Sequence, residues 1–187
     1  MLKIGITGSL ASGKTSAAEL FSKNKHPIFS ADRAVKNLYK KKSFLRRIQK
    51  IFKIKKKNNI KKAIKDFIIN DKKKLKKLEK IIHPLVRSEM KKFMRLRKNK
   101  TLIFEIPLLI ENELMKYFDV VLFVNAKREI RLKRYIKKGG NYKLFSILDS
   151  RQMQPNKKIK LSNFTINNNK SLKQLKKNVN NVLRNYE

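Results

Sequence analysis

The chain reads Gly8-Ser9-Leu10-Ala11-Ser12-Gly13-Lys14-Thr15 close to its start. These residues fit G-x-x-x-x-G-K-[ST], a phosphate-binding loop whose backbone N–H groups converge on phosphate oxygens. The alternating apolar residues at 2–7 predict a strand before the loop, and a helix is predicted after it at 14–23. The motif requires this order of strand, loop and helix, so the sequence favours a nucleotide-binding loop over a chance glycine-rich turn.

The loop also contains the residues expected to bind ATP. Lys14 is expected to neutralise the β- and γ-phosphates, and the Thr15 hydroxyl is the expected protein ligand of Mg²⁺. The complete set of loop residues predicted to bind ATP is Gly8, Ala11, Ser12, Gly13, Lys14, Thr15 and Ser16. ATP with Mg²⁺ is therefore the predicted phosphoryl donor, although the loop alone does not distinguish a kinase from a GTPase or a motor.

Outward from the loop, strand and helix signals alternate along the chain. Further strands are predicted at 27–30, 101–106, 119–124 and 164–166, and further helices at 127–138 and 171–186. This alternation predicts the α/β fold of P-loop NTPases, with three layers, α/β/α, around a mostly parallel sheet. The segment 36–100 contains no Gly and its apolar residues recur at helical spacing, so it is predicted to be a helical insertion into this core.

Positive charge is concentrated in the same segment. The chain has 50 Lys and Arg against 13 Asp and Glu, and 27 of these basic residues but only four acidic ones lie at 36–100. A polyanionic partner is one interpretation of the net charge of +37. The other is a solvated lysine-rich surface, which the excess of Lys over Arg favours because bidentate phosphate or base recognition uses Arg. No specific nucleic-acid partner is therefore expected.

Composition excludes several classes of protein. The absence of Cys excludes disulfide scaffolds and thiolate metal sites, and a chain with two His has little capacity for a His-rich metal site. With 41% hydrophobic residues in 187, the chain can form a single domain with a core. No apolar run approaches the roughly 20 residues of a membrane span, and the N-terminus lacks a signal-peptide pattern. A cytoplasmic protein without a membrane partner is expected, as is a monomer, with an oligomer left open.

Two acidic residues near predicted strand ends are candidates for chemistry. Asp32 follows the predicted strand at 27–30, at the carboxyl edge where parallel sheets bind ligands, and could orient an acceptor hydroxyl and take its proton. It could also serve only as the N-cap of a helix starting near Arg33. Glu105 follows the apolar run at 102–104 and could lie near Mg²⁺ or simply close the edge of the core.

In several stretches the sequence resembles the dephospho-coenzyme A kinases, which add the 3′-phosphate in the last step of coenzyme A synthesis. IGITGSLASGKT at 4–15 resembles the family's phosphate loop, and SADRAVKNLY at 30–39 resembles its acidic strand-end motif. LEKIIHPLV at 78–86 is similar to the family's segment of leucine and glutamate followed by His-Pro. PLLIE at 107–111 resembles its Pro-Leu-Leu-Phe-Glu signature, with Ile110 in place of the aromatic residue, and 131–168 resembles its lid and adenine-binding tail.

The resemblance implies a reaction and roles for individual residues. The implied reaction moves the γ-phosphoryl group of ATP to the ribose 3′-hydroxyl of dephospho-coenzyme A, so these two molecules are the expected partners. The residues implied as catalytic are Asp32, Lys14, Arg134 and Lys138, and those implied to contact the acceptor are Asp32, His83, Glu111 and Lys61. Asn168 is added to the ATP site, and Gln152 also stands at a family position. His83 could equally be a packed or surface residue, with Pro84 starting a new helix.

The resemblance also implies how the single kinase domain is divided. The ATP-binding core is expected at 1–34, 101–133 and 158–187, the coenzyme A-binding insertion at 35–100, and the lid at 134–157. Four departures from the family's pattern stand out: Arg131 replaces a Gln before the lid, Lys138 replaces a lid arginine, Lys61 replaces an arginine of the insertion, and Ser162-Asn163 replaces Ala-Asp.

Two other functions stay open on the residues alone. A kinase of a nucleoside, a nucleotide or another small metabolite would share the loop and the lid. A basic nucleic-acid-binding NTPase would account for the charge, although the chain has no strand of interleaved aromatic and basic residues and no helix-turn-helix signature.

Overall fold

A computed structural model describes residues 1–23, 25–54, 63–64, 71–98 and 100–184 of the chain. Its helices and strands follow one another as β1 (Leu2–Gly8), α1 (Lys14–Ser22), β2 (Ile28–Ser30), α2 (Ala31–Leu38), α3 (Lys42–Phe52), α4 (Lys72–Leu96), β3 (Thr101–Glu105), a 3₁₀ turn (Met115–Tyr117), β4 (Val120–Asn125), α5 (Arg128–Lys137), α6 (Tyr142–Asp149), α7 (Pro155–Leu161), β5 (Phe164–Asn167) and α8 (Leu172–Leu183). Over the described residues, no helix combines the length and the hydropathy needed to cross a bilayer.

The chain divides into two compact units. Met1–Ser30 with Arg97–Glu187 forms the first, which we call the sheet unit, and Ala31–Leu96 forms the second, which we call the helical unit. The helical unit begins and ends four residues earlier than the insertion predicted at 35–100. Asp32 therefore belongs to the helical unit and not to the core segment predicted at 1–34.

Five strands build the sheet of the first unit, in the order β2-β3-β1-β4-β5. Every pairing in the described sheet is parallel, where the sequence predicted a mostly parallel one. All five predicted strands are confirmed, with ends that differ by at most one residue. Because the strands are parallel, their carboxyl ends share one edge, and the register places Ile6 beside Glu105 and Gly8 beside Val124. This edge holds the loop that follows β1.

The strands are buried on both faces because their alternate residues pack against different elements. Ile4 and Ile6 of β1 and Leu122 of β4 share one buried cluster with residues of α1 and α8. Gly5 points to the opposite face, where a Cβ atom would lie 2.7 Å from Leu109 Cδ1 and 2.9 Å from the Phe118 ring. The segment that follows β3 thus packs directly on the backbone of β1, and only glycine leaves room for it. These layers confirm the predicted α/β fold.

The helical unit has its own core. Residues of α2, α3 and α4 meet in one buried cluster, whose described members are Leu38, Phe44, Ile48, Phe52, Ile64, Leu78 and Ile82. The Lys77 ammonium lies 5.5 Å from the centre of the Phe52 ring, so a lysine of this basic unit covers apolar surface with its stem. Within the described residues, the predicted helical character of 36–100 is confirmed.

Two alternatives that the sequence left open in the helical unit are wrong. Pro84 does not start a helix, because it lies inside the continuous helix α4, where its missing N–H leaves the Lys80 carbonyl without its intrahelical donor. Asp32 is not an N-cap, because α2 already begins at Ala31 and Asp32 lies in its first turn. A negative side chain there still interacts favourably with the positive end of the helix dipole.

Candidate active site

The loop between β1 and α1 contains two residues in backbone conformations with positive φ, which few residue types adopt. Gly13 has φ +95° and Ala11 has φ +58°. The left-handed conformation costs a non-glycine residue such as Ala11 about 1 kcal/mol. At Gly8 a Cβ atom would lie 2.6 Å from the Val124 carbonyl oxygen, so a larger residue would displace β4. The loop glycines are therefore required by close packing and by backbone geometry.

The side chains of the loop turn inward. Lys14 begins α1, is 8% exposed, and donates from Nζ to the Ser9 carbonyl oxygen at 3.1 Å. Ser12 Oγ is buried and has no hydrogen-bond partner among the described residues. Ser16 lies in the first turn of α1 and is half-buried. A buried ammonium, an unsatisfied hydroxyl and the N–H groups at the start of α1 are the donor set that binds phosphate oxygens.

Thr15 and Glu105 form the oxygen-rich corner of this site. Thr15 Oγ1 donates to Glu105 Oε1 at 2.5 Å, and Glu105, the last residue of β3, is 4% exposed. The structure thus brings Glu105 to the phosphate loop, where the sequence left its role open. The described residues contain no group of three or more His, Asp or Glu that could hold a metal. A hydroxyl with one carboxylate nevertheless fits Mg²⁺, which takes its remaining ligands from water and substrate phosphates.

Asn168 packs against the other side of the loop. Its Nδ2 donates to the Ser12 carbonyl oxygen at 2.8 Å, and its backbone N–H donates to the Asn125 carbonyl oxygen at 2.8 Å. A Cβ atom on Gly13 would lie 2.2 Å from Asn168 Nδ2, so the asparagine fits only against glycine. Asn168 therefore joins the end of β5 to the loop.

Leu10 is held by two side chains that come from distant parts of the chain. Its N–H donates to Gln152 Oε1 at 2.8 Å, and its carbonyl oxygen accepts from Arg131 Nη1 at 3.3 Å. Arg131 also donates from Nη1 to Asp149 Oδ1 at 2.5 Å. Sequence reasoning marked Arg131 only as a departure from a family pattern and did not select Asp149 at all. An arginine within a basic helix gives no sequence signal that its guanidinium turns inward.

The Glu111 carboxylate is bound by other residues of the protein. Its Oε1 accepts from the Met153 N–H at 3.0 Å and pairs with Lys158 Nζ at 2.6 Å, while Oε2 is buried without a hydrogen-bond partner in the described part of the chain. Lys158 is 0% exposed, and its Nζ lies 5.9 Å from the centre of the Phe123 ring. Lys158 and Glu111 therefore form a buried ion pair. Sequence reasoning missed Lys158.

The residues predicted to act from the lid lie on and after α5. Arg134 is half-buried, and its Nη1 is buried with no hydrogen-bond partner among the residues that the structure describes. Lys138, which directly follows α5, is exposed. The Tyr135 ring packs 5.6 Å from the Phe145 ring, and burial raises the pKa of the Tyr135 hydroxyl. α5 and α6 therefore form a packed helical pair.

Of the predicted acceptor-side residues, Asp32 and His83 belong to the helical unit, whereas Glu111 belongs to the sheet unit. Asp32 is exposed in the first turn of α2, and His83 is half-buried on α4. Both residues take part in interactions within the protein. Lys61 lies outside the described residues. The structure thus gathers the loop, Glu105 and the lid residues in one unit and places Asp32 and His83 in the other.

Comparison with known proteins gives consistent matches over nearly the whole chain. A model of the dephospho-CoA kinase family matches residues 2–174. A dephospho-CoA kinase of Bartonella quintana is 36% identical over 188 residues, covering 97% of this chain and 96% of the relative. The solved structure of TT1252 from Thermus thermophilus has a TM-score of 0.81 at 26% identity and covers 100% of this chain and 98% of its own. A dephospho-CoA kinase from Campylobacter jejuni has a similar fold, with a TM-score of 0.64, 24% identity and coverage of 98% and 96%.

Proposed function

The chain belongs to the dephospho-CoA kinase family, and from that premise we propose how its own residues carry out the reaction. The protein is a kinase that phosphorylates dephospho-CoA in the final step of CoA biosynthesis. The γ-phosphoryl group leaves ATP, the ribose 3′-hydroxyl oxygen bonds to its phosphorus, the hydroxyl proton passes to a protein carboxylate, and ADP departs. The observation that carries the proposal is the Thr15–Glu105 hydrogen bond at a loop with a buried Lys14.

The loop binds the donor. Its N–H groups and the start of α1 receive the β- and γ-phosphate oxygens, and Gly8, Ala11, Ser12, Gly13 and Ser16 shape or line this cradle. Lys14 exchanges its bond to the Ser9 carbonyl oxygen for phosphate oxygens, because a charged acceptor attracts an ammonium more strongly than a neutral one. The point charge then stabilises negative charge that develops between the β- and γ-phosphates.

Thr15 and Glu105 are the residues that would hold Mg²⁺. The Thr15 hydroxyl would be the direct ligand, and the Glu105 carboxylate, which accepts a hydrogen bond from this hydroxyl, would hold it in place. When bound, Mg²⁺ neutralises charge on the β- and γ-phosphate oxygens. The burial of Glu105 holds this carboxylate in one position at the end of β3.

The acceptor hydroxyl is activated by Asp32. This carboxylate follows the carboxyl end of β2 by two residues and is exposed in the first turn of α2. We assign it the orientation of the 3′-hydroxyl and the acceptance of its proton. His83 and Lys61 complete the acceptor side as residues of the coenzyme A-binding insertion. Any direct role of Glu111 toward the acceptor falls to its unsatisfied Oε2, since Oε1 is already paired.

The remaining cations come from the lid. Arg134 carries a buried guanidinium nitrogen without a protein partner in the described chain, and an unsatisfied charged donor of this kind costs free energy unless a ligand accepts from it. A guanidinium can bind two phosphate oxygens at once, whereas Lys138 acts as a point charge. We assign both residues to the oxygens of the transferring phosphoryl group, and Asn168 to the nucleotide side through its contact with the loop.

Identification of the product tests the proposal. The purified chain is incubated with ATP, Mg²⁺ and dephospho-CoA, and the product is analysed by mass and by chromatography against authentic CoA. We expect one added phosphoryl group per acceptor and a product that coelutes with CoA. A product phosphorylated at another hydroxyl, or hydrolysis of ATP with the acceptor unchanged, would contradict the proposal.

A further inference from the structure

The Arg131 side chain makes hydrogen bonds to residues outside its own helix, α5. Its Nε donates to the Ala126 carbonyl oxygen at 3.1 Å, its Nη1 donates to the Leu10 carbonyl oxygen at 3.3 Å, and the same nitrogen contacts Asp149 at 2.5 Å. The Arg131 side chain is 5% exposed. One guanidinium therefore joins three segments, which are the end of β4, the phosphate loop and the end of α6.

Asp149 fixes the position of this guanidinium. Its two carboxylate oxygens receive Arg131 Nη1 at 2.5 Å and Nη2 at 3.4 Å, a two-point arrangement that restricts rotation of the arginine. Arg128 approaches the same carboxylate at 3.4 Å, but its side chain is 48% exposed. Arg128 is therefore a second, more exposed cation beside Asp149, and it makes no described hydrogen bond to the loop.

Arg131 contacts the loop at Leu10, next to backbone in the left-handed conformation. Leu10 directly precedes Ala11, which has φ +58°, and Gly13 follows with φ +95°. Such backbone persists only where the surroundings hold it in place. Gln152 accepts from the Leu10 N–H and Arg131 donates to its carbonyl oxygen, so both polar groups of Leu10 are fixed by side chains.

We propose that Arg131, held by Asp149, is a positioning residue for the phosphate loop. It acts on the nucleotide through the Leu10 carbonyl, keeping the following N–H groups directed at the phosphates. Gln152 lies within the segment assigned to the lid and Arg131 lies three residues before that segment, so both contacts with Leu10 link the loop to this part of the chain. The inference rests on the proposed function, because it assumes that this loop binds the ATP that the kinase uses.

Nucleotide affinity in matched variants tests the inference. Arg131→Gln removes the contact with the Leu10 carbonyl, and Arg128→Gln, the control, removes a cation from Asp149 without touching the loop. Calorimetric titration with ATP should give a Kd raised about tenfold or more in Arg131→Gln, the scale of one lost charge-assisted hydrogen bond. Arg128→Gln should stay within about twofold of the unchanged protein. Equal Kd values in the two variants would overturn the inference.

A second variant separates positioning from loss of stability. Replacing both partners, Arg131→Met with Asp149→Leu, leaves no unpaired buried charge, and such replacements are often neutral for folding. Thermal unfolding should stay close to that of the unchanged protein, while the Kd for ATP rises as in Arg131→Gln and the Kd for dephospho-CoA does not. An unchanged Kd for ATP in this folded variant would overturn the inference. Because ATP binding is the readout, failure of the inference is distinct from failure to phosphorylate dephospho-CoA.

Discussion

At the scale of single residues, the site depends on charges that burial holds in place. Lys14 is almost fully buried next to an unsatisfied Ser12 hydroxyl, and Thr15 donates to the buried Glu105. Side chains confined in this way lose little conformational freedom when phosphate binds, which favours both affinity and orientation. The chemistry should therefore respond strongly to changes of one functional group.

Removal of the Lys14 ammonium should abolish phosphoryl transfer. In Lys14→Ala the β- and γ-phosphates lose their point charge, and phosphoryl transfer depends mainly on positioning and on stabilisation of developing charge. Steady-state turnover of dephospho-CoA, with circular dichroism to confirm folding, measures the effect. Lys25→Ala, an exposed lysine just after α1, should retain full turnover. Near-normal turnover in Lys14→Ala would show that this loop is not the catalytic one.

Neutralising Asp32 should lower kcat and leave ATP binding intact. Asp32→Asn keeps the size of the side chain but cannot accept a proton, so kcat should fall by roughly 10²–10⁴, the usual scale for a positioned acid–base group. Asp71→Asn is the matched control, since it changes an acid at the start of α4 whose carboxylate accepts from the Lys73 and Lys74 N–H groups. Collapse of ATP affinity in Asp32→Asn would instead place Asp32 on the nucleotide side.

The guanidinium of Arg134 should contribute to kcat. Arg134→Ala is expected to lower kcat about tenfold or more, equivalent to about 1.4 kcal/mol of transition-state stabilisation. Lys133→Ala, which removes an exposed cation from the same helix, should have little effect. Lys138→Arg should equal or exceed the original kcat because it restores a planar two-point donor. An unchanged kcat in Arg134→Ala would contradict the role assigned to the lid.

At the scale of helices and strands, the sequence predicts well whatever depends on local pattern. The five strands are predicted because each is a short run rich in apolar residues, and α1 is predicted because it follows a loop of known context. A helix start at Pro84 stays possible on the sequence alone, because a local rule cannot detect the packing that keeps α4 continuous through this residue. The start of α2 at Ala31 was missed for a similar reason, since helix ends depend on contacts beyond the nearest residues.

The turn between α5 and α6 contains Gly140, which packs closely against the Tyr135 ring. A Cβ atom on Gly140 would lie 2.1 Å from the Tyr135 ring. Gly140→Ala should therefore lower the free energy of unfolding by about 1–3 kcal/mol, as overpacked sites do. In a Tyr135→Leu background the same change should cost much less, because the ring is gone. Urea unfolding of the four proteins measures this coupling, and an equal cost in both backgrounds would contradict the packing argument.

At the scale of the whole molecule, the contacts that sequence could not supply are those between distant residues. Arg131 reaches Leu10 across 121 positions and Gln152 reaches the same residue across 142. Lys158 is fully buried, yet in a chain with 50 basic residues nothing in its sequence context separates it from the solvated lysines. Motif spacing therefore predicted which residues form the loop, but only the fold identifies the side chains that support it.

The uneven charge of the molecule suits phosphate-rich ligands without requiring a nucleic acid. The segment 36–100 holds 27 of the 50 basic residues. A positive surface of this kind raises the local concentration of ATP and dephospho-CoA, both of which are anionic, and the effect weakens as salt screens the charges.

The measurement that tests the central claim most directly is an acceptor panel. The purified chain receives ATP and Mg²⁺ with dephospho-CoA, nucleosides, nucleoside monophosphates or shikimate as acceptor, each over the same range of concentrations, and kcat/KM is measured for each. We predict that kcat/KM for dephospho-CoA exceeds that for every other acceptor by at least about 10³, on the scale of 4 kcal/mol of differential transition-state binding. Comparable or greater turnover of another acceptor, or none of dephospho-CoA, would contradict the assignment.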